Sequence, residues 1–269
     1  SMILPGDHNN DGKMDLIYFS AVSEYFTNHR VMVVRGGVNG FEDPTFINRI
    51  EKSENVHLNN KTSWGMAGDF VYRGKVGSHE SKKTVGKEEW GNNHPRMLGD
   101  FNGDGIKDML GFDHNGVVVH LGELKGSKRD KPRLGYGSKW HHGMTKGNGG
   151  WNSSKHPRMT GDVTGDGLAD IIGFGSSSVY VGVNTGKDFK AARSWKKGFG
   201  TNDGWKTHRH KRIMSDVNGD GLMDIIAFGE SKTMVHVSTG TGFKWFWDSR
   251  DFAAKEWDEG EEPRFAQDI

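Results

Sequence analysis

The sequence predicts an all-β fold, a β-propeller whose blades hold about four short strands each. Three observations predict it. First, four nine-residue segments align without gaps: Asp7-His-Asn-Asn-Asp-Gly-Lys-Met-Asp15, Asp100-Phe-Asn-Gly-Asp-Gly-Ile-Lys-Asp108, Asp162-Val-Thr-Gly-Asp-Gly-Leu-Ala-Asp170 and Asp216-Val-Asn-Gly-Asp-Gly-Leu-Met-Asp224. Second, each is followed by the same two strand signals, an apolar run and then a stretch alternating with period two. Third, the first aspartates stand 93, 62 and 54 residues apart, and a further 52 lead from Asp216 to Asp268. A unit of roughly 50 residues with about four strands is the size of one propeller blade.

Taken in order, the apolar runs are Leu16 to Phe19, Met109 to Phe112, Ile171 to Phe174 and Ile225 to Phe228. The alternating strands are Val31 to Val34, Val117 to Leu121, Val179 to Val183 and Met234 to Val237. Upstream, a lead-in recurs: Trp90 with His94-Pro-Arg96, Trp151 with His156-Pro-Arg158, and Trp205 with His210-Lys-Arg212. No segment carries a 3.6-residue apolar stripe, so helix is minor. These boundaries define a single domain over 1–269, with repeats at about 3–50, 90–150, 151–204 and 205–256 and a partial repeat at 257–269. The stretch 51–89 contains Trp64-Gly-Met-Ala-Gly-Asp69 and reads as a degenerate blade or an inserted hairpin. Ile3 to Asp7 and Arg264 to Asp268 are copies of one lead-in strand. Either they pair to close the ring, which hides a terminal edge, or the chain is cut from a longer array; closure is favoured.

Hydrophobic residues make up 33%, low for one compact core but suited to several thin ones. Forty glycines against six prolines indicate tight turns, and nine tryptophans with fifteen phenylalanines exclude disorder. A net charge of +1 with both signs interspersed argues against a nucleic-acid partner, and no apolar run reaches membrane-spanning length. Cysteine is absent, so neither disulfides nor thiolate metal sites are available. Ser1-Met2 reads as a tag remnant, with any signal peptide already removed; a secreted or cell-surface location is expected.

The nine-residue loops read as metal sites. Positions 1, 3, 5 and 9 carry oxygen side chains, position 7 offers a backbone carbonyl, and glycine at position 6 permits the sharp turn. The sets are Asp7, Asn9, Asp11, Lys13 and Asp15; Asp100, Asn102, Asp104, Ile106 and Asp108; Asp162, Thr164, Asp166, Leu168 and Asp170; and Asp216, Asn218, Asp220, Leu222 and Asp224. Hard oxygen donors suit Ca²⁺ rather than zinc, and about four structural ions are expected. Thr164 is a poorer donor than asparagine, so the third loop holds its ion less tightly. An EF-hand would need twelve positions, a terminal glutamate and flanking helices. One such cluster reads equally well as a hairpin turn; four in phase favour metal.

The loop followed by Ile-Ile-Gly-Phe174 resembles the FG-GAP/VCBS repeat of integrin α-subunit propellers. The fuller pattern, Trp151, His156-Pro-Arg158, loop and Val-x-Val strand, is similar to the Psathyrella velutina lectin family. That resemblance covers 90–269 best. It implies a calcium-containing seven-bladed propeller binding N-acetylglucosamine-type glycans between blades, although at most five blades are recognisable here.

Sugar rings present apolar C–H faces, so a glycan site pairs an aromatic platform with hydrogen-bonding side chains. The recurring candidates are Trp90, His94 and Arg96; Trp151, His156 and Arg158; Trp205, His210 and Arg212; and Trp257. The competing reading makes the tryptophans inter-blade packing residues and the arginines backbone anchors. Phe112, Phe174 and Phe228 read as core, and His141, His142, His208 and His210 as solvated loop histidines. Glycans or glycoproteins are the expected partners. The alternatives are an adhesion or protein-interaction propeller of a surface protein or toxin and, less favoured, a propeller hydrolase or lyase. No Ser/His/Asp set, isolated carboxylate pair or phosphate-cradling loop is present, so an enzyme is not expected.

Overall fold

The computed structural model describes residues 94–123 and 137–250 with their side chains, and elsewhere only the backbone of strands. The chain divides into two compact units, Ser1–Trp140 and His141–Ile269.

In the first unit, β1 (Met2–Gly6), β2 (Asp15–Phe19) and β3 (Val31–Val34) precede a short pair, β4 (Gly36–Gly37) with β5 (Gly40–Phe41). β6 (Thr45–Phe46) then completes an antiparallel four-stranded sheet ordered β1-β2-β3-β6. β7 (Phe70–Val76) and β8 (His79–Val85) form an antiparallel two-stranded pair inside the stretch 51–89. Next come β9 (Arg96–Gly99), β10 (Asp108–Phe112) and β11 (Val117–His120). The pair β12 (Gly122–Leu124) and β13 (Pro132–Leu134) separates these from β14 (Ser138–His141), giving a sheet ordered β14-β11-β10-β9. That inserted pair accounts for the longer spacing of 62 residues between the second and third loops.

The second unit repeats the sheet twice without insertion. β15 (Arg158–Gly161), β16 (Asp170–Phe174), β17 (Ser178–Gly182) and β18 (Arg193–Lys197) form one sheet. β19 (Arg212–Ser215), β20 (Asp224–Phe228), β21 (Thr233–Ser238) and β22 (Phe243–Ser249) form the next. A single 3₁₀ turn at Thr201–Asp203 is the helix among the described residues.

The apolar runs become strands covered on both faces: every residue of β10 and of β16 is buried. Phe112, Phe174 and Phe228 are core, as their position predicts. In the second unit, one apolar cluster joins the two sheets through Ile172, Phe174, Val179, Trp205, Ile225 and Phe243. Backbone bonds reinforce this, with the Met223 amide donating to the Asp162 carbonyl at 2.7 Å and Ser238 Oγ donating to the Val163 carbonyl at 2.7 Å.

Candidate functional site

The three described carboxylate loops share one local geometry. Asp162 Oδ1 accepts the Gly165 amide at 2.7 Å and Oδ2 the Gly167 amide at 2.7 Å. Asp100 does the same with Gly103 and Gly105, and Asp216 with Gly219 and Gly221. The glycines at loop positions 4 and 6 have φ between 73° and 85°, a region that a side chain would strain. The fifth residue caps the turn, with Asp104, Asp166 and Asp220 each accepting the amide two residues on.

The ninth residue does something the sequence reading did not include. Asp170 is fully buried and staples two strands, accepting the Val163 amide at 3.0 Å and the Asn184 amide at 2.8 Å. Asp108 accepts Phe101 and Gly122, and Asp224 accepts Val217 and Ser238, in the same way. Burial pushes the Asp108 and Asp170 carboxyls up to about 6, against backbone hydrogen bonds that lower them; the loop's other two aspartates add repulsion. Asp224 is raised by the same causes. Asp216 goes the other way, lowered chiefly by the Gly221 amide.

These loops fit a hard cation in donor chemistry: oxygen alone, and carboxylates close enough to repel one another. Among the described residues, however, no three Asp, Glu or His side chains gather into a group that could hold a metal ion. Their oxygens are turned to backbone amides instead. In the first loop, Asp7, Asn9, Asp11 and Lys13 lie outside the described residues, and Asp15 is described only as the first residue of β2.

At the opposite end of the two sheets in the second unit, the recurring Trp, His and Arg come together. In one copy the Asn152 amide donates to His156 Nδ1 at 3.2 Å, so the neutral ring carries its proton on Nε2, which faces Ser176 Oγ at 3.1 Å. Trp151 meets His156 edge-on at 5.4 Å and Tyr180 at 6.0 Å. Arg158 is buried, donating to the Met144 carbonyl and to Ser153 Oγ, and burial pushes its pKa down to about 10. Burial also lowers His156, with Arg158 and Lys155 adding to the effect.

The next copy repeats the frame. The Lys206 amide donates to His210 Nδ1 at 3.1 Å, Trp205 meets His210 at 5.4 Å, and Arg212 donates to the Phe199 carbonyl and Thr207 Oγ1. The Arg212 guanidinium also lies 5.5 Å from the ring centres of both Phe174 and Trp205. What differs is the residue meeting histidine Nε2: Ser176 in one copy, Glu230 at 2.9 Å in the other. Glu230 also pairs with Arg209.

Placement divides the sequence candidates. Trp205, His210, Arg158 and Arg212 are buried, and so is His94, whereas Trp151, His156 and Arg96 are partly open. Trp90 and Trp257 lie outside the described residues. The histidine expectation needs correcting: His142 and His208 are exposed, but His141, the last residue of β14, and His210, just ahead of β19, are buried, the first with Nδ1 against the Phe189 carbonyl and the second edge-on to Trp205. Sequence reading also missed the polar groups that continue from His156, where the Asn202 amide donates to the carbonyl of Ser176 and Asn202 Nδ2 donates to Ser177 Oγ at 2.8 Å. Serines and asparagines in turns give no periodic signal, which is why they were passed over.

No protein-family model matches the sequence, and no curated protein does. Among solved structures, the chain is similar to a lectin of Agrocybe aegerita that specifically recognises non-reducing terminal N-acetylglucosamine. The TM-score is 0.64 at 26% identity, covering 93% of this chain and 52% of the lectin. The fold is all-β, built of four-stranded β-propeller blades. The chain spans about half the length of that lectin. Likenesses to a TcdB2-TccC3 toxin structure (TM-score 0.40, 16% identity, 55% of this chain and 6% of that) and to the Photorhabdus luminescens Tc holotoxin pore (0.42, 14%, 89% and 11%) are too weak to carry an argument.

Proposed function

We propose that this chain is a carbohydrate-binding propeller module, secreted or at a cell surface, that takes N-acetylglucosamine-type glycans at repeated sites between blades. The observation that carries this reading is the structural likeness to the N-acetylglucosamine-recognising lectin over nearly the whole chain. Within the second unit, the partly open Trp151 and His156, with Ser176 against the histidine and Asn202 bonded to Ser176 and Ser177 beyond it, supply an aromatic surface with hydroxyl and amide groups. Arg158, Trp205 and Arg212 then act as supports, since their polar and aromatic groups are spent inside. The chain is a binder and no enzyme in this reading.

Calcium belongs to the proposal as a structural ion. Asp100, Asn102, Asp104 and Asp108, with the Ile106 carbonyl, would hold it in one loop. Asp162, Thr164, Asp166 and Asp170, with the Leu168 carbonyl, and Asp216, Asn218, Asp220 and Asp224, with the Leu222 carbonyl, would do so in two others. When bound, the ion supplies charge that offsets the crowding of carboxylates around a buried aspartate.

The test is titration calorimetry with N-acetylglucosamine oligomers at millimolar calcium, on the intact chain and on Trp151→Ala. Binding that weakens at least about tenfold in the variant supports the site. No heat from any amino-sugar oligomer, together with no retention on a glycan array, ends the carbohydrate reading.

A further inference from the structure

Asparagine followed directly by glycine occurs five times, at Asn39, Asn102, Asn115, Asn148 and Asn218. The pair is chemically labile, because a glycine has no side chain to keep its amide nitrogen away from the preceding carboxamide carbon. What differs among the copies is how that nitrogen is held. Asn39 lies outside the residues described with their side chains; the other four can be compared.

In the carboxylate loops the nitrogen is held firmly. The Gly103 amide donates to Asp100 Oδ1 at 2.7 Å, and the Gly219 amide to Asp216 Oδ1 at 2.8 Å. The carboxamides are engaged elsewhere as well. Asn102 and Asn218 each donate Nδ2 to the aspartate two residues on at 2.9 Å and accept that aspartate's amide at 3.1 Å. A carboxylate beside a glycine amide also opposes loss of the amide proton. After Asn115, Gly116 is buried in the hairpin between β10 and β11, and Lys139 Nζ donates to the Asn115 carbonyl at 3.2 Å. Asn148 is different. It lies in the turn between β14 and β15, where every residue from Lys146 to Gly150 is exposed. The Thr145 amide donates to the Asn148 carbonyl at 3.2 Å and the Trp151 amide to the Thr145 carbonyl at 3.1 Å, but among the described residues no acceptor meets the Gly149 amide. Gly149 and Gly150, with φ of 99° and 66°, leave the main chain room to turn. Exposure alone does not single this site out, since Asn218 and Gly219 are exposed too.

We infer that Asn148 is a site of spontaneous deamidation in the folded protein, in preference to Asn102, Asn115 and Asn218, with water as the co-reactant. The Gly149 nitrogen gives up its proton and bonds to Asn148 Cγ. The Cγ–Nδ2 bond breaks, and ammonia leaves with that proton as a succinimide closes. Water then opens the ring at either carbonyl. Opening at Cγ gives aspartate; opening at the main-chain carbonyl gives isoaspartate, whose main chain runs through the former side chain and is one methylene longer. Nothing is oxidised or reduced. A Cβ on Gly149 would meet the Trp151 ring at 3.0 Å, so the altered turn is the one that borders that ring. On the amino-sugar reading it is the edge of the binding platform, although the deamidation itself does not rest on that reading.

The test holds the full chain in mildly alkaline buffer made with heavy-oxygen water, with and without denaturing urea, and maps its peptides by mass spectrometry over time. In the folded chain Asn148 should convert at least about tenfold faster than Asn102 and Asn218, the factor expected for first breaking a hydrogen bond to a carboxylate. Asn115 should lag as well. In urea the four rates should converge, because the held and unheld amides are then alike. The product at Asn148 should carry one heavy oxygen and include isoaspartate. A folded-state rate at any of the other three equal to that at Asn148 overturns the inference. So does a preference for Asn148 that persists in urea, which would trace it to neighbouring sequence rather than to the fold. Aspartate without isoaspartate would overturn the ring-closing step and, with it, the role given to the Gly149 amide.

Discussion

Lowering the pH should destabilise the protein through one histidine. His236 lies on β21, 6% exposed, with Phe199 edge-on at 5.0 Å, and its Nδ1 has no hydrogen-bond partner. Burial first, and then the cations Lys196 and Lys232, push its pKa down from 6.5 to about 4. The unfolded chain therefore takes up this proton at a higher pH than the folded one. The stability is fully present above pH 6.5 and is lost as pH falls from there towards 4. At about 1.4 kcal/mol per pH unit, the whole shift amounts to about 3 kcal/mol. The perturbation is His236→Phe, which keeps a buried ring and cannot titrate. Urea unfolding of parent and variant, in EDTA at pH 7.5 and pH 4.5, isolates the contribution as a difference of differences. This matters because buried Asp108 and Asp170, raised to about 6, push stability in the opposite direction with pH. The variant should gain about 2 kcal/mol on the parent between the two pH values. A gap that is the same at both, within about 0.5 kcal/mol, refutes the burial argument.

Three further outcomes are expected. Arg212→Ala should cost about 3 kcal/mol in urea unfolding, because it strips two hydrogen bonds and a packed guanidinium from between the sheets; a loss under 1 kcal/mol contradicts the anchoring role. Gly173→Ala would bring a methyl group to 2.6 Å from the Trp151 ring, so it should displace that ring, shift its fluorescence and cost about 1–3 kcal/mol; unchanged emission and stability would show the ring is not held there. Ten millimolar calcium over EDTA should stabilise by about 2.7 kcal/mol per occupied loop if its dissociation constant is about 10⁻⁴ M, and Asp166→Asn should remove one such increment; an unmoved melting temperature refutes the metal reading.

What the sequence determined by itself was the repeat. Aspartates and glycines at fixed offsets, followed by β-branched runs, act locally: the glycines allow φ near 80°, the aspartates accept the turn's own amides, and the runs go on as strands. Tertiary structure decided which repeated side chains still face water. Trp151 and Trp205 hold equivalent positions in sequence, yet one remains partly open and the other joins the core between two sheets. The histidines His156 and His210 share a frame and differ in the partner that meets them, Ser176 or Glu230, twenty residues away. The aromatic run Trp245 to Trp247 is exposed on the outer edge strand β22, a placement that depends on the sheet order. Local offsets fix turns because their hydrogen bonds close within a few residues. Exposure depends on the sheet that arrives on the other side, and one blade's sequence does not contain it.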